Sequence, residues 1–318
     1  MDGIINVYKE AGFTSHDVVA KLRGILHQKK IGHTGTLDPM ATGVLPVCCG
    51  KATKVCELLA DRDKTYQAVC RLGIVTDTQD TTGRVLEEAS IGDLTREDIA
   101  EAVESFRGES MQIPPMYSAL KVGGRKLYEL AREGVEVERK PRPIFISDIK
   151  ILQMDIEEQI FSMEVTCSKG TYIRTLCHDI GQKLGIGAAM ENLVRTRVGN
   201  FQIADAMTLD VIEQLSSESE EEFRKKIYAV DSLFVGYPKF QIVEEYAVKL
   251  SNGNILKESF LKPYHSRNIE CQEAGCTGTE KEALADDDGQ QCLIYDENGS
   301  FKAIYRRTGN DFTVIKMF

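Results

Sequence analysis

The sequence predicts an α+β protein whose central sheet is mixed and largely antiparallel. Apolar residues alternate with polar ones along residues 66–74 and 161–167, which is the two-residue period of a strand with one buried face. Residues 14–27, 95–106 and 173–184 carry apolar side chains at the spacing of amphipathic helices. Because these segments do not alternate in a regular βαβ order, a purely parallel sheet is not expected.

The first predicted helix, over residues 14–27, begins at Thr14, a residue type that accepts hydrogen bonds from backbone amides at helix N-termini. The apolar residues that lie along one side of this helix are Val18, Leu22, Ile25 and Leu26. The second helix opens with Thr95-Arg-Glu-Asp98, which is similar to a capping box. It continues into Ile99, Val103 and Phe106.

The third predicted helix follows the strand over residues 161–167, and Gly170 marks the end of that strand. The residues that this helix turns inward are Ile173, Leu176, Cys177, Ile180 and Leu184. A strand followed at once by an apolar helix indicates that the helix packs on the sheet.

Beyond about residue 235 the pattern changes to short apolar runs at residues 240–243, 291–295, 301–305 and 312–315. Turn sequences separate them, namely Asn252-Gly253, Asn298-Gly299 and Gly309-Asn310. We therefore expect a first domain over residues 1–230 and a small β-rich domain over residues 235–318. The acidic, serine-rich segment between residues 210 and 230 is the expected linker and helix, and residues 265–289 are the expected long mobile loop.

The composition is that of a soluble globular protein, with 42% hydrophobic and 28% charged residues among 318. No apolar run approaches the roughly 20 residues that a membrane-spanning helix needs. The first residues lack the basic and then apolar layout of a secretion signal. Nine cysteines at irregular spacing suit a reducing compartment. These features predict a cytoplasmic protein.

The net charge of −10 is unusual for a protein that binds nucleic acid, because phosphate binding rests on Lys and Arg. Residues 1–200 are nearly neutral, with 26 basic and 28 acidic residues, so the acidity lies mostly beyond them. Seven basic residues against four acidic ones lie between Lys121 and Arg142. This excess predicts either an arm that contacts phosphates or an ordinary solvated helix face.

The segment from Gly32 to Pro46 contains one carboxylate, Asp38, among glycines, threonines and prolines. Pro39 has no amide hydrogen and favours an extended Asp38, so we expect this segment to be neither helix nor strand. An Asp-Pro pair often starts a simple turn. The surrounding residues favour instead a carboxylate held for chemistry.

The same segment resembles the catalytic motif of the bacterial tRNA pseudouridine synthases of the TruB family. Three further segments resemble that family in the same order, namely Lys64-Thr-Tyr-Gln-Ala68, Pro114-Pro-Met-Tyr-Ser-Ala-Leu-Lys121 and Ser168-Lys-Gly-Thr-Tyr-Ile-Arg174. The opening Gly3-Ile-Ile-Asn-Val-Tyr-Lys-Glu-Ala-Gly12 also fits. The resemblance is strong over roughly residues 1 to 210.

The resemblance implies a pseudouridine synthase fold followed by a PUA-like RNA-binding domain. It implies isomerisation of uridine 55 in the T-loop of tRNA, without a metal or other cofactor. Residues 120–145 match an insertion that stand-alone bacterial members place against the T-arm. No obligatory protein partner is expected, and the protein is expected to be a monomer.

The resemblance also assigns roles to six residues. Asp38 would be the nucleophile, Tyr66 would stack on the uracil, and Arg174 would pair with Asp38 and keep it ionised. The residues that would line the substrate pocket are His33, Tyr172 and Leu193. Without the resemblance, a strand Tyr is more often half-buried core and a helical Arg more often lies on the surface.

Three other interpretations remain open from the sequence. The protein could be an RNA-binding or tRNA-folding protein, or the catalytic subunit of a guide-RNA-dependent particle. Cys271 and Cys276, with His265 and Cys292, could also bind structural zinc, although their spacing is at the edge of the usual range.

Overall fold

The computed structural model describes residues 1–264 and 289–318. The chain forms two compact units, one of Ile5–Ile227 with Met1 and one of Tyr228–Phe318 with Asp2–Ile4. The predicted loop up to residue 288, with His265, Cys271 and Cys276, lies outside the described residues. None of the described helices is both long and apolar enough to cross a membrane.

Residues 1–227 contain seven α-helices and thirteen strands. The helices are α1 Ser15–Ile25, α2 Cys56–Ala60, α3 Arg96–Glu104, α4 Leu127–Arg132, α5 Ile173–Leu184, α6 Leu209–Glu218 and α7 Glu220–Lys225. The strands are β1 Gly3–Lys9, β2 Ile31–His33, β3 Thr42–Cys49, β4 Lys64–Leu72, β5 Ile74–Thr76, β6 Val85–Glu88, β7 Gly108–Gln112, β8 Lys121–Val122, β9 Arg125–Lys126, β10 Arg142–Asp155, β11 Ile160–Cys167, β12 Ala188–Val198 and β13 Phe201–Gln202.

The central sheet of this unit follows the order β1-β3-β12-β4-β11-β10-β7, with β2 on β3 and β13 on β12. The pairing of β12 with β3 is parallel. The pairings from β12 through β4, β11 and β10 to β7 are antiparallel. The predicted mixed, largely antiparallel sheet is therefore confirmed. The strands that carry Tyr66 and Leu193 lie side by side near its centre.

Two apolar clusters stabilise the first unit. In one, α5 buries Leu176 and Ile180 against β4 and β11, as the sequence predicted for that helix. In the other, α1 packs with α6 and α7, which bury Ile212 and Phe223. The acidic segment predicted as a linker and helix forms two helices that belong to the first unit, because their apolar residues complete this second cluster.

Several predicted boundaries were wrong. The strand predicted over residues 66–74 ends at Leu72, because Gly73 adopts a left-handed φ of +77° and a side chain there would clash with the Ala89 carbonyl at 2.4 Å. The segment from Gly32 to Pro46, predicted to be irregular throughout, is irregular only over residues 34–41. Strand β2 ends at His33, and β3 begins at Thr42.

The second unit is β-rich, as predicted, and its described residues form a six-stranded sheet in the order β15-β19-β18-β17-β14-β16. Its elements are β14 Lys239–Ile242, α8 Ala247–Ser251, β15 Leu256–Lys257, β16 Leu261–Pro263, β17 Gln291–Tyr295, β18 Phe301–Thr308 and β19 Asp311–Met317. The sequence analysis missed β15, β16 and α8, which are too short to show a period.

Candidate active site

Asp38 lies on the irregular loop that joins β2 to β3. The loop is fastened at several points along the backbone. The Leu37 amide donates to the Ser15 hydroxyl at the start of α1 at 2.9 Å, and the Ala41 amide donates to the Asp38 carbonyl at 3.1 Å. The Gly12 amide donates to the Pro39 carbonyl at 2.9 Å. The Asp38 carboxylate is therefore presented by a braced turn, with 39% of its side chain exposed.

Lys9, at the end of β1, is fully buried beneath this loop. Its ammonium donates to the backbone carbonyls of Phe13 at 2.6 Å, Pro39 at 2.9 Å and Glu10 at 3.0 Å. Burial lowers the pKa of Lys9 to about 8, and the nearby Asp38 charge partly opposes that shift. The sequence analysis did not identify Lys9, and the available signal was a single basic residue in an otherwise apolar strand.

The structure explains why one position of the motif, Gly43, is glycine. It has a φ of +105°, and β3 passes so close to β12 that a side chain at this position would lie 2.2 Å from the Arg195 carbonyl. Only glycine combines that backbone conformation with that approach. The position therefore allows β3 to pair with β12 immediately after the Asp38 loop.

Arg174, in the first turn of α5, holds Asp38 through a two-pronged ion pair. Its Nε lies 2.8 Å from Asp38 Oδ2, and its Nη2 donates to Asp38 Oδ1 at 3.2 Å. The guanidinium side chain is only 6% exposed. A planar guanidinium that faces a carboxylate in this way fixes the orientation of the carboxylate.

The remaining donors of Arg174 are also engaged. Nη2 donates to the Tyr117 carbonyl at 2.8 Å, and Nη1 donates to the Thr78 carbonyl at 3.0 Å. Nη1 also lies 3.6 Å from Asp80 Oδ2. Arg174 is thus shared between two carboxylates, Asp38 and Asp80.

The sequence analysis missed Asp80. Its other carboxylate oxygen accepts hydrogen bonds from the Thr78 hydroxyl at 2.9 Å and from the Thr82 amide at 3.0 Å. These bonds orient the carboxylate toward Arg174. The only signal in the sequence was a short run of aspartates and threonines, which is typical of a turn.

Tyr66 is buried in β4, directly opposite Arg195 of β12 and Val165 of β11. Burial raises the pKa of Tyr66, and the Arg195 guanidinium, within hydrogen-bonding reach of the phenol, opposes that shift. The phenol is therefore protonated at neutral pH. Arg195 is a third residue of the site, after Lys9 and Asp80, that was not predicted from the sequence.

Leu193 lies two residues before Arg195 and opposite Ala68 in the register of β4 and β12. It belongs to the same apolar cluster as Tyr66 and Leu37, the residue that precedes Asp38. The structure therefore brings the predicted apolar wall, the predicted aromatic residue and the Asp38 loop together.

Tyr172 precedes α5 and is clamped by Gln112 of β7. The Gln112 side chain donates to the Tyr172 carbonyl at 3.1 Å and accepts from the Tyr172 amide at 2.8 Å. Burial raises the pKa of the Tyr172 hydroxyl, and the neighbouring Ser118 side chain, Arg142 and Arg174 oppose that shift. The clamp fixes the backbone from which α5 and Arg174 start.

His33 is half-buried at the end of β2. Its ring meets the His16 ring edge to face, with ring centres 5.1 Å apart, and its Nδ1 accepts a hydrogen bond from the Gly35 amide at 3.3 Å. Burial lowers its pKa, so the ring is neutral at pH 7. Among the described contacts, none joins His33 to Asp38, so the structure does not bring these two predicted residues together directly.

Within residues 1–264 and 289–318, no group of three or more His, Cys, Asp and Glu side chains is placed to hold a metal ion. What the site does contain is a carboxylate, a guanidinium that orients it, and a buried aromatic ring in the central sheet. Such an arrangement can present a nucleophile to a flat, ring-shaped substrate.

Comparison with known proteins places this arrangement in a family. Residues 23–173 match the TruB family pseudouridylate synthase N-terminal domain, and residues 174–235 match the tRNA pseudouridylate synthase B C-terminal domain. The tRNA pseudouridine synthase B of Clostridium kluyveri is 50% identical over 82% of this chain and 88% of its own. That of Clostridium perfringens is 39% identical over 100% of this chain and 99% of its own.

Solved structures agree with the sequence comparisons. A chain of an H/ACA ribonucleoprotein bound to a substrate RNA containing 2'-deoxyuridine matches 99% of this chain and 84% of its own, with a TM-score of 0.69 and 26% identity. A chain of a Cbf5–Nop10–Gar1 complex matches equally well at 27% identity. With its fold, its motif loop and its relatives in agreement, the chain belongs to the TruB family of pseudouridylate synthases.

Proposed function

We propose that this protein isomerises uridine to pseudouridine in tRNA, at position 55 of the T-loop, with Asp38 as the nucleophile. The observation that carries the proposal is the two-pronged Arg174–Asp38 ion pair, which holds one carboxylate in a fixed orientation at a braced turn. The names of the relatives, tRNA pseudouridine synthase B, supply the reaction and the substrate class.

The reaction exchanges one bond of the uracil for another. The bond between N1 and the ribose C1′ breaks, and its electron pair stays with the uracil. The uracil turns, a bond forms between C5 and C1′, C5 loses its proton and N1 gains one. Asp38 would stabilise the ribose or the ring covalently while the base is detached, and Tyr66 would stack against the base.

A uridine inside a folded T-loop is not accessible to Asp38, so the enzyme would extrude the nucleotide into the pocket. Tyr172 and Leu193 would line that pocket, and His33 would lie against the extruded nucleotide or take the place that it left. This assignment follows from the family resemblance and from the position of Leu193 beside Tyr66.

Residues 120–145 are the proposed contact to the T-arm. They form the β8–β9 hairpin and α4, and they lead into β10. On this segment the half-buried Lys126 ammonium lies 5.3 Å and the exposed Arg132 guanidinium 5.4 Å from the centre of the Tyr128 ring. Basic side chains beside an aromatic ring suit phosphate and base contacts in RNA.

We further propose that the second unit is a PUA-like RNA-binding domain and that the protein acts as a cytoplasmic monomer without an obligatory partner. A second candidate is the catalytic subunit of an RNA–protein particle, which the likeness to an H/ACA ribonucleoprotein chain favours. The higher identity to tRNA pseudouridine synthases B, 50% against 26%, favours the stand-alone enzyme.

The test is conversion of an unmodified tRNA transcript by the purified protein alone, with the product mapped by pseudouridine-specific chemical labelling. We expect one modified uridine, in the T-loop, without added metal or nucleotide. Asp38→Asn should abolish product and retain tRNA binding, which would also separate an enzyme from a tRNA-folding protein. Modification confined to another loop would contradict the substrate. Activity that requires a guide RNA and protein partners would favour the particle.

A further inference from the structure

Arg195 is a buried cation beside the proposed active site. Its side chain is 2% exposed, and it lies on the same face of β12 as Leu193, two residues earlier. Its Nε donates to the Val44 carbonyl at 2.7 Å. Its Nη2 lies 3.5 Å from the Gly35 carbonyl, and Arg195 lies directly opposite Tyr66 in the pairing of β12 with β4.

No carboxylate among the described residues forms an ion pair with Arg195. Arg174, by contrast, faces both Asp38 and Asp80. Burial of a charge without a counter-ion is costly, and an arginine cannot escape that cost by losing its proton. A neutral donor could satisfy the same carbonyls, so the packing of β12 does not require a cation here.

The contacts of Arg195 connect the two proposed catalytic parts of the site. Val44 and Gly35 lie on either side of Asp38 along the chain, so Arg195 holds both ends of the Asp38 loop. Its third partner, Tyr66, belongs to another strand.

We propose that Arg195 is a positioning residue for the isomerisation. It fixes the position of the Tyr66 phenol relative to the Asp38 loop, and it supplies an uncompensated positive charge behind Tyr66. This inference rests on the proposed function. When the N1–C1′ bond breaks, its electron pair and a negative charge pass to the uracil, which is stacked on Tyr66 in the proposed geometry. A fixed cation on the far side of the phenol stabilises that charge more than it stabilises the neutral substrate.

The test uses single-turnover kinetics and equilibrium tRNA binding with the full-length protein. Arg195→Lys keeps the positive charge but loses the planar guanidinium with its several N–H donors, whereas Arg195→Met loses both the charge and the guanidinium. We expect turnover to fall about tenfold or more in Arg195→Lys and further in Arg195→Met, with the dissociation constant for tRNA within about twofold of wild type.

A double-mutant comparison of Arg195 with Tyr66 supplies a second test. If Arg195 acts through Tyr66, Arg195→Lys should cost clearly less turnover in a Tyr66→Phe background than in the wild-type background. Arg197→Lys is the matched control on the same strand, because Arg197 contacts the Thr65 hydroxyl and the Gly199 carbonyl instead. It should leave turnover unchanged.

Each outcome is decisive. Wild-type turnover in the two Arg195 variants, with an unchanged melting temperature, overturns the inference while the proposed function stands. Equal losses of turnover and tRNA binding, or full additivity with Tyr66→Phe, overturn it as well, because either result indicates a general structural role. If Arg195→Met fails to fold, Arg195→Lys carries the test. A wild-type protein that forms no pseudouridine would refute the proposed function itself.

Discussion

Replacement of Arg174 by lysine tests the proposed site at its most connected residue. Arg174 makes five polar contacts, with both oxygens of Asp38, with Asp80, and with the carbonyls of Thr78 and Tyr117. A lysine ammonium has three N–H donors and lacks the planar guanidinium that pairs with both carboxylate oxygens, so at least two of the five contacts are lost. At about 1.5–3 kcal/mol for each hydrogen bond to a charged group, the loss is about 3–6 kcal/mol.

The part of that loss that appears in turnover depends on how far Asp38 moves. If about 3 kcal/mol of the lost interaction energy applies only in the transition state of the step in which Asp38 reacts, Arg174→Lys turns over about 100-fold more slowly than wild type. Binding of tRNA should change little, because Arg174 is buried and contacts protein groups. Arg174→Ala should be slower still, again with a smaller effect on binding.

Release of tritium from C5-labelled uridine in a tRNA transcript, under single-turnover conditions, measures this step directly. Arg107→Lys is a suitable control, since Arg107 also forms a forked ion pair, with Glu104 and Asp148, that does not involve Asp38. Turnover of Arg174→Lys within about threefold of wild type would refute the reasoning. So would an equal loss in the Arg107 variant.

Three further predictions follow from the same geometry. Asp80→Asn removes the second carboxylate that faces Arg174, so Arg174 should bind Asp38 more tightly. We expect turnover to fall about tenfold in single-turnover kinetics, and tRNA affinity to stay unchanged in filter binding. Gly43→Ala should lower the free energy of unfolding by about 2–4 kcal/mol in urea titrations, because the new Cβ meets the Arg195 carbonyl. Gly108→Ala, at a φ of +100° and with open space around the position, should lower it by only about 1 kcal/mol, and equal losses would contradict the clash. The affinity for tRNA should fall steeply with added salt despite the net charge of −10, and a flat response would contradict the basic contact over residues 120–145.

The boundaries that the sequence predicted well are those with local causes. Thr14 and Thr95 both cap helices through the predicted hydrogen bonds, since a cap depends only on residues within one turn. The end of the strand at Gly73 was missed, because the contact that requires glycine there comes from Ala89 in another segment. The β2 and β3 strands around Asp38 were missed for a similar reason, since their partners lie elsewhere in the chain.

The sequence alone was sufficient to propose Asp38, Tyr66 and Arg174 as site residues, because each belongs to a short motif whose resemblance to a known family can be recognised without the fold. The ion pair that joins Asp38 to Arg174, residues 136 positions apart, could be observed only in the tertiary structure. Lys9, Asp80 and Arg195 emerged only there, since a buried charge and a surface charge look identical in a sequence. Their importance depends on burial and on partners from distant segments, and the packing of the sheet and α5 decides both.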